Sequence, residues 1–366
     1  MVRWSIWLDA ALAPRLRDPD ALPPETVAAL RLGSYEKLVR GTPPHAAVDA
    51  WVELAGRDHP RLRGLVNAVL RRVEAPHDPD PATEASLPEW LWRRFERALG
   101  DDAAAAARAM REPAPLWLWA LSHEATASLR QDGSRVDTGP LPGTLRVRPS
   151  SRLGDLPAFR QGLVQPMNPA SLFVARSVQP APGERVLDLC SGRGVKAAVL
   201  ASMGARVEAV EAYPGKLQQA RRNLARLGLE AQQRVADVRD PPSDLAPATK
   251  VLLDAPCSGS GTLRGHPEIA LRLAETDLPA LTELQDRLLD GARKLVSLGG
   301  TLTYAVCSLT PDEGPERVAA FLARDPSFEP QPLDVPLPQR ALDGGAFLLP
   351  HDGLDGFYLA RMRRRG

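Results

Sequence analysis

The chain has 366 residues, 44% hydrophobic and 25% charged, a composition expected of a soluble globular protein with room for two or three domains. A net charge of +1 excludes a strong global field aimed at nucleic acid, so any such binding must rest on local basic patches. Three cysteines at this length exclude a disulfide scaffold and fit a reducing cytosol, and no apolar run approaches the roughly 18 residues of a membrane span.

Residues 1–20 carry Arg3, Asp9, Arg15 and Arg17 with no apolar signal-peptide core, which predicts a cytoplasmic protein. The cations are almost all arginine. The lysines are Lys37, Lys196, Lys216, Lys250 and Lys294, which suggests positions wanting a compact ammonium rather than a guanidinium fork. Residues 1–75 read as helical. Pro24-Glu25 opens a helix, Pro43-Pro44 breaks the pattern, and apolar stripes follow at Ala47–Leu54 and Leu62–Leu70. Residues 76–86, rich in Pro and Asp at their start, read as a linker. Residues 87–160 read as a small α+β subdomain, helical to Met110 and then broken by Pro and Gly, with strand-like pieces at 116–121 and 144–147.

From Pro169 onward helix and strand alternate. Strands are expected at 185–189, 206–210, 250–253 and 300–304, and helices at 171–178, 196–202, 217–227 and 278–298. Such alternation predicts an α/β domain over 161–366 with a doubly wound, mostly parallel sheet. Arg361–Arg365 reads as a solvated tail.

The strand Val186–Leu189 runs into Cys190-Ser191-Gly192-Arg193-Gly194 and opens a helix. Gly192 and Gly194 let the backbone approach a ligand, and the helix start offers free N–H groups. Glu211 ends the next strand, where an acid holds ribose hydroxyls. The segment also fits a loose dinucleotide pattern, but Asp188 at the strand end would repel a pyrophosphate and suits the methionine part of S-adenosyl-L-methionine. Asp237, after a third strand, could accept from the adenine amine or cap a helix. Cys257 in Asp254-Ala255-Pro256-Cys257-Ser258-Gly259-Ser260-Gly261 and Cys307 in the segment Leu302–Thr310 each follow an apolar strand, so both reach the crevice at the strand ends. This suggests a nucleophile and a helper.

These motifs resemble those of the bacterial Sun/RsmB type of ribosomal RNA cytosine-5 methyltransferase, within the wider NOP2/Sun group. Asp254–Gly261 matches its Asp-Ala-Pro-Cys-Ser-Gly-x-Gly motif. Gly299-Gly300 through Ser308 matches its Gly-Gly…Tyr-Ser-Thr-Cys-Ser motif, with Ala305-Val306 in place of Ser-Thr. Asn223–Gly228 fits too, and Asp355–Arg361 looks like its closing strand. Pro44–Val48 and Arg63–Arg71 resemble its NusB-like helical domain, whose front looks short here by roughly a few dozen residues. The chain departs from the family at Ser191–Ala197, where Ala-Ala-Pro-Gly-Gly-Lys-Thr is usual, although Lys196 is kept. It also departs at Gln165-Pro166 (usually Gln-Asp) and at Leu116–Trp119 (usually Leu-Arg-Val-Asn).

The resemblance implies a Rossmann-like class I methyltransferase preceded by an all-α NusB-like domain and a small α+β subdomain. It implies S-adenosyl-L-methionine held by Asp188, Cys190, Ser191, Gly192, Gly194, Lys196, Glu211, Asp237 and Asp254, and no metal. It assigns Cys307 as nucleophile and Cys257 to product release, with Asp254 and Lys196 beside the base. In DNA cytosine methyltransferases the Pro-Cys cysteine attacks instead. The implied substrate is a cytidine of 16S ribosomal RNA, free or in the assembling small subunit, and the protein is expected to be monomeric with no membrane partner. The competing readings are a ribosome-assembly factor that has lost activity and a related transfer-RNA or large-subunit methyltransferase. Arg61, Arg63, Arg71 and Arg72 could meet phosphates, and Trp90, Trp92, Trp117 and Trp119 could stack on bases or fill a core.

Overall fold

The computed structural model describes residues 1–365, apart from the side chain of Asp58. The chain divides into two compact units, one of residues 1–93 with 270–272, the other of 94–269 with 273–366.

The first unit is helical. The helices Ser5–Leu12, Pro24–Leu38, Pro44–Asp58 and Arg63–Arg72 meet around Leu12, Leu30, Val52, Val66 and Leu70. Prolines at 24 and 44 sit at the first helical position, where a missing N–H costs nothing. Lys37 shows why a lysine is kept. Its ammonium donates to the carbonyls of Leu70 (3.0 Å), Arg71 (3.0 Å) and Val73 (2.9 Å), closing the last helix at its negative end. The segment read as a linker holds a short helix, Pro81–Ala85, whose first turn is capped by Asp80.

In the second unit, four antiparallel strands form a small sheet: β1 (Leu116–Ala120), β2 (Arg135–Thr138), β3 (Thr144–Arg148) and β4 (Val164–Pro166), in the order β2-β3-β1-β4. Strand β4 lies beyond residue 160, where the sequence reading ends the subdomain. Its three residues carry no period of their own, and pairing with β1 makes them a strand. Strand β1 alternates as a two-faced strand must. Leu118 packs in the small core with Leu129 and Val164, while Trp119 packs in the large core with Phe173 and Leu141.

The larger sheet has the order β11-β12-β13-β9-β8-β5-β6-β7, with β10 paired to β13. Its strands are β5 (Arg185–Leu189), β6 (Arg206–Glu211), β7 (Gln232–Val235), β8 (Ala248–Asp254), β9 (Val296–Val306), β10 (Phe328–Gln331), β11 (Gln339–Leu342), β12 (Gly345–Leu348) and β13 (Phe357–Arg364). Strands β7-β6-β5-β8-β9 are parallel. Strand order reverses between β5 and β8, which opens a crevice at their C-terminal ends. Val186, Leu187 and Leu189 are buried, as expected of a strand covered on both faces.

Two expectations are corrected. The helix read over 278–298 stops at Ala292, and β9 already begins at Val296, paired with Ala248. The Gly299-Gly300 pair cannot sustain a helix, and Gly299 adopts φ +74°. The Arg361–Arg365 run is not a solvated tail. Through Arg364 it lies in β13, between β9 and β10. There Arg361 donates to the carbonyl of Ser177 and Arg364 to that of Val296.

Candidate active site

Four of the five parallel strands, β5, β6, β8 and β9, bring a candidate site residue to or just past their C-terminal ends, because residues at that edge are the last ones the sheet holds before the chain turns away. At the end of β5, Asp188 is fully buried, and its Oδ2 accepts from Ser191 Oγ (2.7 Å). Its Oδ1 is also buried, with no hydrogen-bond partner among the described residues. Burial raises this carboxyl to about 7, with nearby Asp254 adding to the effect and Ser191 and Lys196 opposing it. Cys190 takes the left-handed φ of +58°, and burial pushes its thiol up, further raised by Glu211, Asp254 and Asp188. Gly192 and Gly194 also have positive φ, and a Cβ on Gly194 would press into Ala220. The helix Val195–Ser202 follows. Glu211 ends β6 and turns back to the same loop, with Oε2 accepting from Gly192 N (2.9 Å) and Oε1 from Tyr213 N (3.1 Å).

Lys196, on the first turn of that helix, reaches Asp254 at the end of β8, Nζ to Oδ2 2.5 Å. Burial pulls the ammonium down, but Asp254, Cys307 and Asp188 together hold it above its ordinary value. Asp254 therefore faces a cation instead of capping a turn. Cys257, in the loop after β8, and Cys307, directly after β9, stand with their sulfurs 3.3 Å apart. The hydrogen bond to Cys307 raises the Cys257 thiol well above its usual value, with burial and Glu313 adding to it.

The two loops are stitched together. Ala255 N donates to Ala305 O, Gly261 N to Cys307 O, and Leu309 N to Ser260 Oγ. Gly261 is required because a Cβ there would overlap the carbonyl of Gly356, whose own N–H donates to Gly261 O (2.7 Å). That contact joins the Asp254–Gly261 motif to the Asp355-Gly356-Phe357 segment.

Asp237, after β7, pairs with a neighbour in its own loop. Its carboxylate grips the guanidinium and N–H of Arg239, which holds it below the usual range. Trp92, Trp117 and Trp119 are core residues, exposed by 7%, 6% and 3%, so none is free to stack on a base. The indole of Trp117 donates to Gly353 O (2.9 Å). Arg264, just after the Asp254–Gly261 motif, is 3% exposed and lies 3.8 Å from Glu112. Arg61, Arg63, Arg71 and Arg72 are exposed.

Three residues escape the sequence reading. Glu313 and Gln285 lie behind the cysteines, fully buried. Asp355 is largely buried and raised to about 6 by that burial, against Arg264 and His266. Asp355 stood inside a quoted motif, so a signal existed. Glu313 and Gln285 carried none, since neither spacing nor periodicity marks a buried acceptor.

The residues fit S-adenosyl-L-methionine. A buried acid with an unpartnered oxygen, a glycine turn opening a helix and a second acid at the next strand end form a cradle for its cationic and hydroxyl groups. Sheet order and this cradle together define a class I methyltransferase. A family model described as 16S rRNA methyltransferase RsmB/F matches residues 175–363, and one described as NusB family matches 1–75. The chain is 44% identical, over 98% of its length and 84% of the relative's, to a protein from Thermus thermophilus named ribosomal RNA small subunit methyltransferase B. The solved structure of PH0851 superposes with a TM-score of 0.81 at 25% identity, covering 99% of this chain and 88% of that one. A methyltransferase homologue from Pyrococcus horikoshii shares the fold, with a TM-score of 0.67 at 24% identity over 78% of this chain and 98% of its own. The chain belongs to the 16S rRNA methyltransferase RsmB/F family. It is an RNA methyltransferase dependent on S-adenosyl-L-methionine. Among the described residues no helix is long and apolar enough to cross a membrane.

Proposed function

We propose that this enzyme methylates carbon 5 of a cytidine in 16S ribosomal RNA through a covalent bond between Cys307 and carbon 6 of the base. The observation that carries this reading is the pair of sulfurs at 3.3 Å, beside the Lys196–Asp254 ion pair. Bound S-adenosyl-L-methionine supplies an electrophilic methyl group. Asp188, Ser191, Gly192, Gly194 and Glu211 would hold it, with the Cys190 backbone shaping the turn. Asp237 would join them only if the Arg239 pair opened.

Carbon 5 of cytosine is a poor nucleophile. The Cys307 thiolate adds to carbon 6, a group at Asp254 keeps ring nitrogen 3 protonated, and the ring becomes an enamine whose carbon 5 is nucleophilic. Lys196 fixes Asp254 at the base. After methylation the carbon 5 proton goes to a base, the carbon 6–sulfur bond breaks as nitrogen 3 returns its proton to Asp254, and the Cys307 thiolate is regenerated. Cys257, a protonated thiol in contact with Cys307, assists that release. Domains at 1–75 and 87–160 position the RNA, with Arg61, Arg63, Arg71 and Arg72 as phosphate contacts, and a monomer acts in the cytoplasm on free ribosomal RNA or the assembling small subunit.

Cys257→Ala and Cys307→Ala proteins, incubated with labelled 16S RNA and S-adenosyl-L-methionine, test the reading on a denaturing gel. Cys257→Ala should leave a covalent RNA adduct and Cys307→Ala none. An adduct from Cys307→Ala alone would exchange the two roles. Loss of both adducts with no methyl transfer by the unaltered enzyme, on RNA and on small-subunit particles alike, would favour an assembly factor.

A further inference from the structure

Glu313 is a carboxyl with no exposure at all, and hydrogen bonds alone satisfy it. Its Oε1 accepts from Ser258 N (2.7 Å) and Gln285 Nε2 (3.0 Å). Its Oε2 accepts from Ser258 Oγ (2.5 Å), Ser308 Oγ (2.6 Å) and Thr310 Oγ1 (3.1 Å). All five partners present donors to it. Its own carbonyl accepts from Tyr304 OH (2.7 Å), and Tyr304 is a residue of β9. Gln285 also donates to Pro256 O (3.0 Å), so the amide that supports the carboxylate holds the Cys257 loop from behind.

The identity of the donors is informative. Ser258 is the residue after Cys257, and Ser308 is the residue after Cys307. One carboxylate thus reaches the residue after each cysteine, Ser258 through its N–H and hydroxyl and Ser308 through its hydroxyl. A buried carboxylate is costly unless fully satisfied, and apolar packing of equal volume would serve the fold at least as well. Here the acid sits where two loops from different strands must keep a sulfur–sulfur contact.

We propose that Glu313 is a positioning residue of the methyl-transfer reaction, a clamp that holds the Cys257 and Cys307 loops in mutual register through Ser258 and Ser308. The inference rests on the two-cysteine reading above. Through the cycle Cys307 bonds to the base and is freed again, and each change pulls on its loop. A shared anchor keeps Cys257 within reach of the bond to be broken. The hydrogen bond to Cys307 and burial raise the Cys257 thiol, and Glu313 adds to the effect.

The full-length enzyme tests this with Glu313→Gln, Ser258→Ala and Ser308→Ala. Glu313→Gln keeps the shape but presents an amide to donors, so kcat should fall about 100-fold, with KM for RNA and for S-adenosyl-L-methionine within about threefold. Ser308→Ala, combined with Cys257→Ala, should slow adduct formation. Ser258→Ala alone should form the adduct normally and release it slowly, so that a covalent species accumulates during turnover. A Glu313→Gln kcat within about threefold of the unaltered enzyme overturns the clamp, as do serine variants with indistinguishable effects on formation and release. If Glu313→Gln does not fold, the serine pair decides by the same criterion. Failure of the covalent reading looks different: Cys257→Ala would trap no RNA while the unaltered enzyme still transfers methyl. The clamp is then judged on the Glu313→Gln methyl-transfer rate alone.

Discussion

Asp188→Asn should make the protein less sensitive to rising pH up to about 7 while weakening its hold on cofactor. In the unfolded chain Asp188 titrates near its ordinary value of 3.8, and in the folded protein burial raises it to about 7. Between these values the native state binds the extra proton. The contribution is therefore neutral below 3.8, and stability is lost as pH rises through the window to about 7. At about 1.4 kcal/mol per pH unit, the loss between about pH 5.5 and the native pKa is about 2 kcal/mol. Asparagine has no charge to bury and removes this slope. For a chain of this size, about 2 kcal/mol corresponds to roughly 3 °C in melting temperature. Melting curves of both proteins without cofactor, from about pH 5.5 to about pH 8.5, should diverge by that amount, the variant holding its melting temperature as the unaltered protein declines. Calorimetric titration at about pH 8 should show S-adenosyl-L-methionine binding at least about tenfold weaker, since the acceptor with an unpartnered oxygen is gone. Parallel melting curves would refute the assignment of the slope to Asp188.

Two further outcomes are expected. Gly261→Ala should abolish methyl transfer and lower the melting temperature, because the added carbon overlaps the Gly356 carbonyl and neither backbone can move without disturbing a cysteine loop or β13. Wild-type kinetics in that variant would show that the contact is not needed. Lys37→Met should destabilise the helical unit by about 2 kcal/mol, because three carbonyls lose a charged donor, while Lys37→Arg should recover only part of it. Equal stability of all three proteins, measured by denaturant unfolding, would contradict the cap.

The sequence by itself determined the parallel part of the large sheet, because β5, β6 and β8 are short apolar runs followed by glycine or acid, and such runs have few other ways to be buried. It also identified Asp188, Glu211, Asp254, Cys257 and Cys307 as strand-end residues, since position at a strand's C-terminus follows from local pattern alone. What it misread depended on partners distant in sequence. Val296 became strand by pairing with Ala248, and the arginines of β13 were drawn into the sheet between β9 and β10, where Arg361 and Arg364 found carbonyl partners. The two-sulfur contact, the Lys196–Asp254 pair and the carboxylate of Glu313 were decided only by the tertiary structure. A hydrogen bond between loops some fifty residues apart leaves no periodic trace in either loop, and a buried acid is recognisable only once its donors surround it.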